Sequence, residues 1–399
     1  MEYLLEGVKV LDVASYVAGP AAATVMADFG ADVIKVEPPS GDNYRSLVAA
    51  YRTNYYWSLT SRNKRDIAID LRGKEGQAVL HKLVEGADVI LVNFNTTQLA
   101  KYDLEYETLK QINPKLIFAH ITGYGTKGPD SGRRAYDVAA WWSRSGILDL
   151  MQPPAQRPPN AVGGVGDHAS AMSLFSVIMM ALFHRERSGV GSYVATSLAA
   201  NGVWSNGMHL QAAIAGYNLA DVMKEHGYRS HFMMPYCTRD GRYVQLVGAD
   251  PVREWPLLCK ALKHPEWLED ERFQNMAGIM EHREELRQRF AEGFAKLNLI
   301  DVVRLLEEVD ATFSVVETIS DVLEDAHLIE NEAIVKVESD NPDYQWTIGN
   351  PIEVGGFNKK PPKDGPEIGE HTRDILAEGG FSAEEISNLE QAGVVKQHV

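Results

Sequence analysis

The chain has 399 residues, of which 45% are hydrophobic and 24% are charged, and its formal net charge is −16. This length predicts one large or two moderate domains, and the composition excludes a largely disordered chain. The acidic balance disfavours nucleic acid as a partner, because a phosphate backbone attracts basic surfaces.

Short β-rich runs alternate with helical segments through the first third of the chain. Strands are predicted in VKVLDVA, ADVIKVEPP, DIAIDL, DVILVNF and LIFAHITGYG. Helices are predicted between them in AAATVMADFG, KEGQAVLHKLVEGA and YETLKQINP. Strands separated by helices of this length predict an α/β fold whose mostly parallel sheet is covered on both faces.

The remainder of the chain changes character twice. A long buried helix is predicted from His168 to about His184, and SYVATSLAANGVWSNGM continues as a strand and another helix. Residues 225 to 320 are predicted to form a smaller α+β domain, because charged helical patterns dominate there. The predicted division is therefore a large domain over 1–224, a small domain over 225–320, and a C-terminal segment over 321–399.

Several kinds of site and location are disfavoured. The loop ASYVAGPAAA offers only Gly19 where a dinucleotide fingerprint needs three glycines, and no GxSxG elbow surrounds a serine. No histidine pair at helical spacing predicts a metal site. The two cysteines are typical of a reducing cytoplasm, the start lacks a basic signal-peptide region, and apolar runs are shorter than a membrane span. We therefore expect a cytoplasmic protein with no metal, no permanently bound cofactor and no membrane partner.

Positive charge is concentrated in SRNKRD, where Arg62, Lys64 and Arg65 lie within four residues. Such a cluster is typical of a solvated turn. It also suits the phosphates of a small-molecule ligand, because guanidinium and ammonium groups bind phosphate directly. The residues alone leave both interpretations open.

Asp167 also has two interpretations. Asp is a favoured N-cap, so it would start a helix at His168. A carboxylate at a helix N-terminus is also favoured in its ionised, nucleophilic form, and glycines 163, 164 and 166 would give a large ligand room to approach. Free backbone N–H groups in such a loop could stabilise an oxyanion.

A series of motifs resembles the class III (family III) CoA-transferases across essentially the whole chain. The matching segments, in the family's order, are LEGVKVLDVASYVAGPAAATVMADFGADVIKVEPPSGD, NKRDIAIDL, ADVILVNF, ITGYGTKGP, GDHASAM, RERSGVGSYVATSL and GEHTRDIL. The resemblance implies that Asp167 is the nucleophile that moves CoA from an acyl-CoA thioester to a carboxylic acid, through aspartyl anhydride and aspartyl-CoA thioester intermediates. It also implies an interlocked homodimer whose large, doubly wound, Rossmann-like domain is built from both chain ends.

The resemblance further implies a set of ligand contacts. The positions that match the family's CoA-binding segments are Arg62, Lys64, Arg65, Ile69, Arg72, Asn93, Phe94 and Lys101. The positions that match its substrate site are Val17, Arg134, Tyr136, Gly164 and Gly166.

Two departures from formyl-CoA transferase bear on specificity. Val17 replaces a glutamine that helps to place the substrate there, and a tetraglycine lid is replaced by residues 227–241. An apolar residue at this place suggests a larger and less polar acyl group, as in the 2-hydroxyacyl and arylacyl members of the family.

Two alternative functions are considered. An α-methylacyl-CoA racemase, from the same superfamily, needs a histidine base where this chain has Tyr136, and a phenol with a pKa near ~10 is a poor base at neutral pH. A non-catalytic acyl-CoA-binding protein would have a use for the basic cluster but none for a carboxylate in a glycine loop.

Overall fold

The computed structural model describes residues 2–47, 53–153, 156–217, 221 and 230–398, and these divide into two compact units. The larger unit comprises Met1–Met151, Pro158–Gln211 and His327–Val399, and the smaller comprises Gln152–Arg157 and Ala212–Ala326. The boundary predicted between 224 and 225 lies outside the described residues. The smaller unit ends at Ala326, whereas the end predicted from the sequence is residue 320.

A seven-stranded sheet forms the centre of the larger unit. Its strands are β1 (Lys9–Asp12), β2 (Asp32–Glu37), β3 (Arg65–Ile69), β4 (Val89–Val92), β5 (Ile117–Thr122), β6 (Ser192–Ser197) and β12 (Val395–Lys396). Their order is β12-β3-β2-β1-β4-β5-β6, and all neighbours are parallel except β12, which pairs antiparallel with β3. The predicted α/β class with a mostly parallel sheet is confirmed, and its last edge strand comes from the C-terminal end of the chain.

Helices cover both faces of this sheet. The helices up to residue 214 are α1 (Ala18–Asp28), α2 (Tyr55–Ser61), α3 (Lys74–Val84), α4 (Thr96–Lys101), α5 (Tyr106–Ile112), α6 (Ile147–Leu150), α7 (Val165–Ser188), α8 (Leu198–Ser205) and α9 (Gly207–Ile214). Later helices of this unit span Thr372–Glu378 and Ala383–Gln391, and β10 (Ile334–Lys336) pairs with β11 (Trp346–Ile348). Val10 packs in the cluster that contains α1 and α7, whereas the next residue, Leu11, packs in the cluster that contains α3. The two-residue period of β1 thus directs alternate side chains into two separate cores.

Helix α7 is the longest described helix and carries the predicted nucleophile near its start. It begins at Val165, three residues earlier than predicted, and ends at Ser188 before Gly189, which adopts a left-handed conformation. By length and composition it could cross a membrane. Its buried residues, which include Leu174 and Ile178, pack instead against the core of the larger unit.

The smaller unit combines a three-stranded antiparallel sheet with helices. The strands are β7 (Pro235–Cys237), β8 (Tyr243–Leu246) and β9 (Phe313–Val315), and the helices span Pro251–Ala261, Met276–Glu281, Arg283–Phe294, Leu299–Glu308 and Ile319–Glu324. One further helix, Ala326–Glu330, begins at the last residue of this unit. Of the segment 227–241, where the family's lid was expected, residues 227–229 lie outside the described residues, and the rest leads into β7 and β8.

The sheet of the larger unit determines where the site lies. Because β1 to β6 are parallel, their carboxyl ends lie along the same edge. The loops that leave β1, β2 and β4 therefore come together at that edge. These loops contain Tyr16, Tyr44 and Asn93 respectively.

Candidate active site

The N-terminus of α7 is capped by a side chain from a distant part of the chain. Gly164 is the N-cap residue, with a φ of 87°, and Asp167 lies in the first turn. The carboxylate of Asp137, which is 3% exposed, accepts hydrogen bonds through Oδ2 from the backbone N–H of Gly164 (2.7 Å) and of Gly166 (3.2 Å). The prediction that Asp167 caps the helix is therefore wrong, and Asp137 has that role.

The glycines around Asp167 serve different purposes. A Cβ at Gly163 or Gly164 would meet no heavy atom within 4 Å, which leaves open space on that side of the loop. A Cβ at Gly166 would lie 2.5 Å from Cγ of Trp141. The expectation that all three glycines make room for a ligand is therefore wrong for Gly166, whose missing side chain allows α7 to pack on Trp141.

The pKa of the Asp167 carboxyl lies above its ordinary value. Burial and the neighbouring Asp137 carboxylate raise the pKa of Asp167 from 3.8 to about 7. The sequence-based argument from the helix dipole predicted the opposite direction. The pKa is raised chiefly because the Asp167 carboxyl is largely withdrawn from water, and further because the Asp137 carboxylate adds a like charge beside it. Asp137 also accepts from two of the N–H groups at this helix end.

Four tyrosines form a cluster, here called the tyrosine cluster, that comprises Tyr16, Tyr44, Tyr56 and Tyr136. The Tyr16 ring lies 6.2 Å from that of Tyr44 and 5.6 Å, edge-on, from that of Tyr136, and Tyr44 stacks on Tyr56 at 5.8 Å. Burial, Tyr56 and the Asp167 carboxylate raise the pKa of Tyr44, so Tyr44 is within electrostatic range of Asp167. Through Tyr44, the cluster is therefore within electrostatic range of the predicted nucleophile.

The structure brings most of the predicted substrate contacts to this place. Val17 is 8% exposed and packs with Tyr44 and Trp57, and Tyr136 is 61% exposed at the open side of the cluster. Tyr136 directly precedes Asp137, which binds the start of α7. Arg134 is exposed two residues earlier.

The basic cluster of the sequence is largely engaged within the protein. Arg62 is 3% exposed and makes a two-pronged ion pair with Asp28, at 3.1 and 2.8 Å. Lys64 donates to Asp12 at 2.8 Å and to two backbone carbonyls, and burial lowers its pKa to about 8. Arg65 is half-buried and pairs with acidic side chains at positions 32 and 378. A CoA phosphate would have to replace one of these partners to bind any of the three cations.

Two other predicted CoA contacts, Arg72 and Lys101, are exposed and lie on neighbouring segments, whereas a third, Ile69, is 1% exposed and packs in the core. Arg72 follows β3, which ends at the buried Ile69, and Lys101 ends α4. The Gln77 side chain amide donates to the carbonyl of Leu71 (3.0 Å) and to that of Lys101 (3.2 Å), which ties the two segments together.

The two contacts predicted after β4 have structural partners as well. Both amide atoms of Asn93 bind the backbone of Ser15: Oδ1 accepts from its N–H at 3.1 Å, and Nδ2 donates to its carbonyl at 2.9 Å. The Phe94 ring packs against Tyr102, and its carbonyl oxygen lies 2.7 Å from Nε2 of His120.

Sequence reasoning missed Asp137, Tyr44 and Lys35, a buried residue of β2. Asp137 was visible in RRAYD, but no local pattern shows that its partner is the start of α7. Among the described residues, no group of three His, Cys, Asp or Glu side chains is arranged to hold a metal ion.

Comparison with known proteins finds relatives that match almost the whole chain. The family model described as CoA-transferase family III matches residues 5–372. The (R)-2-hydroxy-4-methylpentanoate CoA-transferase of Clostridioides difficile is 30% identical over 98% of this chain and 100% of its own length. The cinnamoyl-CoA:phenyllactate CoA-transferase of Clostridium sporogenes is 29% identical over 97% of this chain and 96% of its own.

A solved structure extends the likeness to the fold. A CAIB/BAIF family protein from Brucella suis superimposes with a TM-score of 0.83 and 28% identity, over 95% of this chain and all of that one. The family model, the curated relatives and the fold agree over almost the whole chain. The chain therefore belongs to CoA-transferase family III, and it is an acyl-CoA:carboxylate CoA-transferase.

Proposed function

We propose that Asp167 is the covalent nucleophile of CoA transfer. The observation that supports it most is the position of this carboxylate in the first turn of α7, next to the open space at Gly163 and Gly164 and within electrostatic range of Tyr44. Because Asp137 caps the helix, the carboxylate of Asp167 is not needed for that purpose.

The first half of the reaction loads CoA onto the enzyme. The Asp167 carboxylate attacks the acyl carbon of the acyl-CoA, the carbon–sulfur bond breaks, and CoA leaves as a thiolate from an aspartyl-acyl anhydride. The thiolate then attacks the aspartyl carbonyl carbon, and the donor acid leaves as a carboxylate. The product on the enzyme is an aspartyl-CoA thioester.

The second half reverses these steps on the acceptor. The acceptor carboxylate attacks the aspartyl carbonyl carbon and expels the CoA thiolate, which gives a second anhydride. The thiolate attacks the acceptor's acyl carbon, and Asp167 leaves as a carboxylate. Water has to be excluded throughout, because either anhydride would hydrolyse.

The ionisation of Asp167 gives this mechanism a pH dependence. Only the carboxylate attacks, and its pKa is raised to about 7. We therefore expect the first chemical step to slow as the pH falls below 7, because the protonated fraction grows.

We propose that the acyl group is branched or aromatic and of moderate size. Support comes from the apolar Val17 and the rings of Tyr16 and Tyr136, which offer flat surfaces rather than charge near Asp167. The names of two relatives are consistent with this class, since one acts on 2-hydroxy-4-methylpentanoate and the other on cinnamoyl-CoA and phenyllactate.

We propose that Arg72 and Lys101 bind the phosphates of CoA. The Arg72 side chain is 78% exposed and Lys101 is exposed, and Gln77 holds their segments together. An exposed cation next to a single acidic neighbour, Asp70, can exchange that partner for phosphate more easily than Arg62 can leave its buried pair.

We propose, further, that two chains form a homodimer. Apolar side chains on α7 to α9 are unusually exposed: Phe183 is 60%, Trp204 85% and Met208 86% exposed. Large exposed apolar surfaces mark sites of association. Whether the dimer is interlocked stays a prediction from the family resemblance.

Neither alternative function gains support. Tyr136, which occupies the place of the racemase base, is mostly exposed and packs edge-on against another phenol, Tyr16. A non-catalytic acyl-CoA-binding protein is disfavoured because the curated relatives are transferases over nearly their full length.

Intact-mass analysis tests the proposal directly. With an acyl-CoA and no acceptor, a fraction of the protein should gain the mass of CoA less one water, on the peptide that contains Asp167, and hydroxylamine should remove it. Asp167→Asn should abolish the adduct and the turnover. Glu186→Gln is the matched control, because it makes the same change at an exposed position of α7 and should keep both. A fully active Asp167→Asn enzyme would refute the proposal.

A further inference from the structure

A buried lysine contacts the two loops that carry Tyr16 and Tyr44 of the tyrosine cluster. Lys35, on β2, is 1% exposed. Its Nζ donates to the carbonyl of Ala14, in the loop that follows β1, and lies 3.2 Å from Oδ2 of Asp42, in the loop that follows β2. One ammonium group thus contacts both loops.

The first loop holds Tyr16 in an unfavourable backbone conformation. Tyr16 has a φ of 65°, in the left-handed region that side chains other than glycine rarely adopt. Such a residue persists only where its surroundings determine its conformation. Here Lys35 binds the carbonyl of Ala14, and Asn93 binds both backbone groups of Ser15. The two residues before Tyr16 are therefore fixed by one side chain from β2 and one from the loop that follows β4.

The second loop holds Tyr44 through Asp42. The backbone N–H of Tyr44 donates to Oδ1 of Asp42 at 2.9 Å, and the other oxygen of that carboxylate faces Lys35. The carboxylate therefore lies between the ammonium group and the turn that presents the Tyr44 ring. Asp42 is 5% exposed, so water does not screen this contact.

Lys35 remains charged in spite of its burial. Burial alone lowers its pKa, but the carboxylates of Asp12, Asp42 and Glu37 outweigh that effect, and the pKa lies above the ordinary value. An ammonium group offers three donors, which lets it bind a carbonyl and a carboxylate at the same time.

We propose that Lys35 is a positioning residue for CoA transfer: by joining the loops at Ala14 and Asp42, it sets the rings of Tyr16 and Tyr44 against the acyl group at Asp167. The proposal rests on the proposed role of Asp167 for its link to chemistry. If Lys35 instead only balances the buried charges of Asp12, Asp42 and Glu37, its effect is on folding alone.

A double variant separates the two roles. Lys35→Met alone leaves Asp42 charged and buried, so it should lower the melting temperature. Lys35→Met with Asp42→Asn removes both charges and keeps an oxygen that can accept from the N–H of Tyr44. We expect this double variant to recover the part of the melting temperature that an unpaired Asp42 costs, but not the part owed to Asp12 and Glu37. We expect kcat to stay about 100-fold below wild type, because the bond to Ala14 is still missing and the rings are misplaced by about 1 Å. A wild-type kcat in the double variant would overturn the proposal.

Arg185→Met is the matched control, because it removes a cation paired with Asp88 at 2.8 Å, at the far end of α7. It should lower the melting temperature but leave kcat within about twofold of wild type. Hydrogen exchange supplies a readout that does not depend on turnover. The amide of Ser15, which donates to Asn93 Oδ1, should exchange faster in the Lys35 double variant and at the wild-type rate in the Arg185 variant. If wild-type enzyme forms no adduct on Asp167, the proposed nucleophile fails, whereas exchange at Ser15 and kcat still decide the role of Lys35. Unchanged exchange at Ser15 in the double variant would also overturn it.

Discussion

Replacement of Asp167 by asparagine should stabilise the protein at neutral and alkaline pH while it abolishes activity. The substitution leaves the start of α7 intact, because the capping bonds run from Gly164 and Gly166 to Asp137. What the substitution removes is a carboxyl whose charged form is unfavourable in the folded protein. Asparagine has nearly the same volume and no charge at any pH.

The size of the effect follows from the ionisation of Asp167. Its pKa rises from 3.8 to about 7 on folding, and each unit is equivalent to about 1.4 kcal/mol of folding free energy. Because the folded-state pKa is the higher one, the stabilising contribution of this group is fully present below about pH 4 and is lost as the pH rises through 7. The wild-type protein therefore bears a cost of about 4 kcal/mol above pH 7 and about 1.6 kcal/mol at pH 5. The helix dipole offsets a part of this, on the order of 1 kcal/mol.

Melting temperatures measured between pH 5 and pH 8 give the test. The gain of Asp167→Asn over wild type should grow by about 3 kcal/mol across this range, which is roughly 3 °C for a chain of this length. Glu186→Gln, at an exposed position of the same helix, should show no such trend. A gain that does not change with pH, or a loss at pH 8, would show that Asp167 is not a half-buried carboxyl with a raised pKa.

Three further predictions concern the site. Below pH 7, kcat/KM should fall about tenfold per pH unit. Asp137→Asn keeps an acceptor oxygen but removes the like charge, so it should move the midpoint of this pH profile to lower pH. An unmoved midpoint would contradict an effect of the Asp137 charge on the pKa of Asp167. Arg62→Ala should lower the stability by about 3–5 kcal/mol with little effect on CoA affinity. Arg72→Ala should weaken CoA binding without a change in melting temperature. The reverse pattern would show that the basic cluster binds the phosphates. Gly166→Ala should lower the stability by about 1–3 kcal/mol and should also lower the turnover, because the new Cβ would clash with Trp141. A variant with wild-type stability would show that α7 can shift without a loss of stability.

The sheet was predictable because its signals are local. Val10 and Leu11 belong to a short apolar run, a helix with its own apolar positions follows, and the next strand repeats the pattern. A parallel sheet needs a connection of this kind between neighbouring strands, so the alternation alone predicts the class. The order of the strands and the antiparallel pairing of β12 depend on contacts between distant segments, which no local pattern reports.

The start of α7 was mispredicted for a physical reason. Glycine is a poor helix former and Asp is a favoured N-cap, so VGGVGD predicts a helix that begins after Asp167. Gly166 is nevertheless helical, because only glycine fits against Trp141 and because its N–H is bound by Asp137. Both partners are more than twenty residues away, so tertiary contacts outweigh the local preference.

The basic cluster shows that local sequence also fails to predict which charges are already paired within the protein. Three cations within four residues indicate either a solvated turn or a binding site for an anion. The positions of α1 and β1 instead bring acidic side chains of the protein against two of them, because Asp28 pairs with Arg62 and Asp12 pairs with Lys64. Those acids lie 34 and 52 positions away in the chain, so their effect becomes visible only once the sheet is assembled.

The two carboxylates at the start of α7 divide two tasks that the sequence assigned to one residue. Asp137 receives two backbone N–H groups, which stabilise its charge and hold the helix end. Among the described residues, no backbone N–H donates to the Asp167 carboxylate, and burial with a like charge nearby raises its pKa to about 7. The first step of the proposed reaction exchanges a thiolate for a carboxylate on an acyl carbon, and a thiol has an ordinary pKa near ~8.5. A carboxylate of pKa ~4 is a poor nucleophile against such a leaving group. A carboxylate whose pKa is about 7 brings its pKa closer to that of the leaving thiol. The same crowding that makes Asp167 costly to the fold therefore makes it more reactive towards a thioester.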